Sequence, residues 1–131
     1  MAKQSGAPSA AAEPLGWPRT AVSDAQLADV LGVRVVGVAV TGGGGLVDVR
    51  FQVVDPGKAA ALHLQATPPG LIDDATGVLA DQLLMGHSHT DAFKAGHTYY
   101  LIFENPGNLV QRGGTVSVLL GRYEVEHYTV S

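Results

Sequence analysis

The clearest pattern in the chain lies in residues 46–54, where Val47, Val49, Phe51 and Val53 alternate with Asp48, Arg50 and Gln52. A period of two puts the first set on one side of an extended strand and the second on the other, as in a half-buried antiparallel strand. Residues 33–40 before it are apolar and β-branched, and the run Gly42-Gly43-Gly44-Gly45 can reverse the chain between them. The two segments predict a β-hairpin. The glycine run lacks the Lys-Ser/Thr ending of a phosphate loop and reads as a turn.

Upstream, Ser23-Asp24-Ala25-Gln26 is a capping-box pattern, and Leu27, Val30 and Leu31 then share one helical face. Gly32 is placed to end that helix in the left-handed conformation, which predicts a short helix over 24–31 lying against the sheets. Downstream, Asp55-Pro56-Gly57 is a turn signature. Residues 58–67 read as a helical turn that becomes strand-like through Leu62, Leu64 and Ala66, and Pro68-Pro69-Gly70 breaks it. Leu71-Ile72 leads into the hairpin-type turn Asp73–Gly77, and residues 78–85 make a further strand of weak alternation.

In residues 97–103, Tyr99, Leu101 and Phe103 face one way and Thr98, Tyr100 and Ile102 the other, which suggests a central strand partly covered on both sides. Asn105-Pro106-Gly107-Asn108 and Gln111-Arg112-Gly113-Gly114 bracket a loop that Leu109 and Val110 are expected to pin to the core. Residues 115–120, with Val116, Val118 and Leu120 inward, and residues 123–130 supply the last two strands. Short strands at this spacing predict an all-β fold, a two-sheet antiparallel β-sandwich of immunoglobulin-like or cupredoxin-like type. It has about seven strands and one short N-terminal helix, with a closed barrel as the alternative.

Residues 1–22 are rich in Ala, Pro, Ser and Gly and read as a flexible linker, leaving residues 23–131 as the sandwich domain. Trp17, the only tryptophan, is expected to pack back onto that domain. A chain of 131 residues with 46% hydrophobic and 15% charged residues suffices for one buried core. The net charge of −4 includes no basic block, which disfavours nucleic acid as a partner. The absence of cysteine excludes disulfides, thiolate zinc sites, blue-copper ligation and a cysteine nucleophile. No run approaches the ~18 apolar residues of a membrane span. No apolar stretch follows Met1-Ala2-Lys3 as in a signal peptide, so the chain reads either as cytosolic or as lacking an export signal since removed.

Three stretches together carry a resemblance: Val49-Arg-Phe-Gln-Val-Val-Asp-Pro-Gly-Lys58, Gly96-His-Thr-Tyr-Tyr-Leu-Ile-Phe-Glu-Asn-Pro-Gly107 and Leu109-Val-Gln-Arg-Gly-Gly-Thr-Val-Ser-Val-Leu-Leu-Gly121. Over roughly residues 30–130 the chain resembles small, poorly characterised bacterial domains, exported or membrane-tethered, with an immunoglobulin-like strand–turn pattern. The resemblance implies the sandwich and a periplasmic or other extracytoplasmic location, with the Ala/Pro-rich tail as the linker behind a removed signal or anchor. It implies no activity. In composition alone the chain is similar to exported β-sandwich copper carriers with His and Met ligands. Their ligand spacing is not reproduced, so no ligand is carried over.

The candidate chemistry is concentrated in Met85-Gly86-His87-Ser88-His89-Thr90-Asp91. If this stretch is extended, Met85, His87, His89 and Asp91 project to one side, and two imidazoles at that spacing can chelate one ion. Imidazole and carboxylate suit Cu(II), Ni(II) or Zn(II) and a thioether favours Cu(I), so the mixed set leans towards a copper ion. His97 is a further candidate across a hairpin, with His63 and His127 more distant. The competing reading is a solvated loop of ordinary loop residues, with Met85 filling a gap in the core.

His87-x-His89-x-Asp91 is also similar to the start of the metal motif of metallo-β-lactamase-fold hydrolases. That motif continues with histidine, position 92 is alanine, and the fold needs a longer α/β chain, so this reading is excluded. Ser88 lacks a Gly-x-Ser-x-Gly setting. Asp73-Asp74 reads as a solvated turn, Glu124 and Glu126 as a polar strand face able to bind a cation, and the four tyrosines as packing with a sugar platform as the alternative. No acid–base or nucleophile set remains, so an enzyme is not expected.

Two functions follow as expectations. The first is an extracytoplasmic, copper-handling metal carrier with Met85, His87 and His89 as ligands, Asp91 or His97 completing the shell, and a metal-receiving or envelope protein as partner. The second is an immunoglobulin-like interaction or assembly module without a physiological metal.

Overall fold

Alternation in residues 46–53 is realised as an antiparallel ladder that the rest of one sheet is built on. In the computed structural model, which describes residues 19–63, 67–85 and 92–131, the chain order is β1 (Thr20–Ala21), α1 (Asp24–Leu31), β2 (Val33–Thr41), β3 (Leu46–Val53), α2 (Pro56–Ala59), β4 (Gly70–Asp73), β5 (Leu79–Ala80), β6 (Leu83–Met85), β7 (Thr98–Glu104), β8 (Thr115–Leu120) and β9 (Tyr123–Thr129). Among the described residues these strands form two sheets, in the orders β1-β9-β8-β4-β5 and β2-β3-β7-β6. Neighbouring strands run antiparallel except β1, which lies parallel to β9. The architecture is the expected β-sandwich, not a closed barrel.

Side chains from both sheets meet in one core. Val33, Val35 and Val38 of β2, Val47, Val49, Phe51 and Val53 of β3, and Leu101 and Phe103 of β7 face Leu71, Val116, Val118, Leu120 and Val125 of the other sheet. Leu27 and Leu31 of α1 join them, as the helical face predicts. The capping box is present in full: Gln26 N–H donates to Ser23 Oγ at 3.1 Å, and Ser23 N–H donates to Gln26 Oε1 at 2.8 Å. Gly32 ends the helix at φ +73°, and a Cβ there would collide with the Asp55 carbonyl oxygen. No side-chain-bearing residue fits that position without moving the chain.

Four expectations are corrected. The strand foreseen over 78–85 is two strands: β5 pairs with β4 in one sheet and β6 with β7 in the other, so the chain changes sheets at Asp81-Gln82. A segment shared between two sheets cannot keep one inward face, which is why its alternation is weak. Leu62 lies in a 3₁₀ turn (Ala60–His63) that continues α2, not in a strand; Leu64 and Ala66 lie outside the described residues. Asp55 caps α2 by accepting from Gly57 N–H and Lys58 N–H, with Pro56 in the first turn, so this stretch carries a helix-start signal. Thr20 and Ala21, assigned by composition to the linker, are hydrogen-bonded to β9. Trp17 lies outside the described residues.

The free side of β2 is closed by other parts of the chain. Val35 N–H donates to Asp24 Oδ1 at 2.9 Å, Val40 N–H to the Ser131 carbonyl at 3.3 Å, and Ser131 N–H to the Val38 carbonyl at 2.9 Å. An edge strand with its donors occupied is a poor template for another chain.

Candidate functional site

Strand β6 is three residues long and ends on Met85, whose Cα partner is Ile102 in β7. His87, His89 and Asp91 follow directly and lie outside the described residues, as do Ser88 and the side chain of Met85. The chain is held again at Phe93, whose buried ring makes edge contacts with Phe51 (6.0 Å between centroids) and Tyr99 (5.0 Å). Lys94 N–H donates to the Tyr99 hydroxyl at 2.9 Å, and Gly96 N–H to the Val53 carbonyl at 2.8 Å. In sequence the candidate ligands fall between two described points, the paired end of β6 and the buried Phe93.

His97 lies on the same ladder, its carbonyl accepting from Val53 N–H at 3.0 Å and its ring stacked on Tyr99. It is exposed and stands five residues before Ile102, the partner of Met85, hence about 17 Å along the strand at ~3.4 Å per residue. His97 thus precedes β7, well apart from the strand partner of Met85; the other proposed ligands lie outside the described residues.

His63 stacks on Phe93 with centroids 4.5 Å apart and planes 13° apart. Both line a cavity of about 50 Å³, with Phe51, Leu62, Leu83 and Leu101. This space has about the volume of one or two water molecules and apolar walls, so it holds no organic ligand. Among the described residues no group of three or more His, Asp or Glu side chains is placed to hold a metal ion.

The most developed polar cluster lies on the outer face of the five-stranded sheet. Asp74 accepts from Thr115 Oγ1 (2.7 Å), from Ser117 Oγ (2.9 Å) and from His127 Nδ1 (3.1 Å). His127 reaches it from a β-bulge: Val116 pairs with Tyr128 but Val118 with Val125, which leaves one extra residue in β9, and His127 takes φ +58°. Nearby, burial pushes the Glu124 carboxyl above its ordinary value, with the charges of Glu126 and Asp74 adding to the rise and those of Arg19 and His127 opposing it. Burial lowers the Arg19 guanidinium to about 10, against the attraction of Glu124, and its Nη2 donates to the Pro68 carbonyl at 3.0 Å.

The Asp74–His127 pairing is not anticipated by reading Asp73-Asp74 as a turn. The signal for it is the three-residue spacing between the inward residues Val125 and Tyr128, where an unbroken strand has two. Ser117 donates to Asp74, so its hydroxyl proton is directed to the carboxylate and not to the imidazole, and the cluster is not a nucleophile–base pair. Tyr99, Tyr123 and Tyr128 pack against the core while Tyr100 is exposed on the opposite face of its strand, so the tyrosines form no common platform. Comparison with models of protein families, with curated proteins and with solved structures gives no match.

Proposed function

We propose that this chain is an extracytoplasmic metal-binding protein, copper-handling in function, whose ligands are His87 and His89 with Met85 and Asp91. The observation that carries the reading is the placement of Met85-x-His87-x-His89-x-Asp91 between the last paired residue of β6 and the Phe93 plug. Two anchored ends reduce the chain entropy that metal binding must overcome. With no cysteine in the chain, the available donors are imidazole, thioether and carboxylate, a set that accommodates both copper oxidation states. Such a site supports capture and transfer to a metal-receiving envelope protein, not turnover. The resemblance of residues 30–130 to exported domains supports the location.

The test is Cu(II) titration of the full chain followed by EPR, in wild type and in the His87→Ala/His89→Ala variant. The reading predicts one equivalent bound with nitrogen coupling in the spectrum, loss of that signal in the variant, and weaker binding below about pH 6 as imidazoles protonate. Stoichiometric binding unchanged by the double substitution would sink it.

A second reading, a protein-interaction module, is favoured by the outer face of the four-stranded sheet. Val36, Leu84 and Tyr100 are 44, 54 and 43% exposed there. Beside them Asp48 keeps Oδ1 buried and without a hydrogen bond, although its Oδ2 accepts from Arg50 Nε at 3.1 Å. Exposed apolar side chains gathered on one sheet face suit a protein partner. Sedimentation of the metal-free protein over a wide concentration range distinguishes this reading: it requires self-association or a co-purifying partner that Tyr100→Ser removes.

A further inference from the structure

At the end of β7 away from His97, the turn joining β2 to β3 faces the connection from β7 to β8 across an open cleft of about 730 Å³. Its walls are fixed by Asn105, which is only 4% exposed. The Asn105 side-chain amide donates to the Gly44 carbonyl (2.8 Å) and the Val110 carbonyl (2.9 Å), and its Oδ1 accepts from Val110 N–H (3.0 Å). Asn105 N–H also donates to the Gly45 carbonyl at 2.9 Å. One buried side chain thus ties both loops together before any ligand arrives.

One wall carries no side chains over three consecutive residues. Gly42, Gly43 and Gly44 have φ +59°, +68° and +98°. A Cβ on Gly43 would meet nothing within 4 Å, and one on Gly44 would make only ordinary contact with the Asn108 amide at 3.5 Å. Crowding does not demand glycine at 43 or 44, but the left-handed φ at all three positions favours it. The same run leaves this wall as backbone open to close approach. The other wall presents Asn108, Gln111 and Arg112. Among the described residues no carboxylate lines the cleft. Arg112 is exposed, and it makes no ion pair among the described residues. Arg112 also borders a second cleft, which contains Asp73 and Asp74.

We propose that this cleft binds a small oxyanion ligand, a carboxylate or phosphate group on a molecule up to the size of a sugar acid. Arg112 supplies the charge, and Asn108, Gln111 and the glycine backbone supply hydrogen-bond donors. The donor set recognises the oxyanion, which a sugar acid and a phosphate share.

The experiment is a titration of the ¹⁵N-labelled full chain with inorganic phosphate, with D-glucuronate and with neutral D-glucose. Saturable shifts of the Gly42–Gly44, Asn108 and Arg112 amides are expected with phosphate or glucuronate and none with glucose. Tighter phosphate binding identifies a phosphoryl ligand, and tighter glucuronate binding a sugar acid. Arg112→Gln should weaken binding at least tenfold while the remaining amide signals stay in place, and Arg112→Lys should retain part of it. Absence of saturable shifts with either anion, or equal affinity in Arg112→Gln, overturns the proposal. Neither result bears on metal binding at His87 and His89.

Discussion

His127 holds its Nδ1 3.1 Å from Asp74 Oδ2 by adopting a left-handed backbone, a region that few non-glycine residues take and that histidine enters more readily than most. The bulge in β9 swings the ring onto a carboxylate that already accepts from Thr115 and Ser117. The two partners contribute unequally. The imidazole side chain is 75% exposed, so its contact with Asp74 is screened by solvent and worth little, whereas Asp74 organises two hydroxyls.

Replacing His127 by glycine relieves the left-handed backbone and removes only a screened contact. Stability in urea should stay unchanged or rise by up to about 1 kcal/mol. Asp74→Ala leaves the hydroxyls of Thr115 and Ser117 without their acceptor and should cost about 1–3 kcal/mol. If His127→Gly costs more than Asp74→Ala, the ring contributes stability that this geometry does not account for.

Asn105 gives a prediction with a built-in control. Asn105→Ala removes three side-chain hydrogen bonds from a buried position and should cost about 3 kcal/mol, read as a lower urea midpoint at unchanged slope. Asn105→Asp keeps the size but turns both donors into acceptors facing the carbonyls of Gly44 and Val110. It should be at least as damaging near neutral pH. A tolerated aspartate would mean that the two loops are not held by the Nδ2 bonds.

These elements differ in how far the sequence discloses them. The β2–β3 hairpin, the α1 capping box and the inward faces of β7 and β8 follow from periods of two and 3.6 that run unbroken for several residues. In each, local pattern and burial agree. Where the chain serves two surfaces the pattern blurs: residues 79–85 split between sheets, and the bulges at Val36 and His127 show only as a three-residue gap between inward residues. Asn105 and Asp74 were legible as turn residues, but not as clamps. Their partners lie 61 residues away at Gly44, and 41 and 43 residues away at Thr115 and Ser117, and no local pattern encodes such distances. For the proposed metal ligands, the sequence names the donors, and His87, His89 and Asp91 lie outside the described residues.

Gly32 is the position where conformation and space coincide. Its φ of +73° disfavours any side chain, and a Cβ would meet the Asp55 carbonyl oxygen, while the Gly32 carbonyl itself accepts from Val54 N–H (2.8 Å) and Asp55 N–H (3.0 Å). Gly32→Ala should cost roughly 3 kcal/mol. At Gly77, φ +75° with nothing within 4 Å of a Cβ, the same change should cost only about 1 kcal/mol. Thermal melts of the two variants side by side separate the steric part from the conformational part.

Glu124 makes stability depend on pH in a direction that can be worked out. Its carboxyl titrates above the ordinary value of 4.5, chiefly through burial and then through the charge of Glu126, so the folded chain keeps this proton at a pH where the unfolded chain has released it. More protons bound in the folded state means that stability falls as pH rises from about 4.5 through the raised value. Glu124→Gln removes the titration. The variant and wild type should match at about pH 4 and diverge by about pH 7, with the variant more resistant to urea. Glu126→Gln should show a smaller change of the same sign, because it removes the second contribution and leaves burial in place. Urea midpoints collected across that range decide the matter. A wild type that gains on Glu124→Gln as pH rises would show that attraction to Arg19 outweighs burial at this carboxylate.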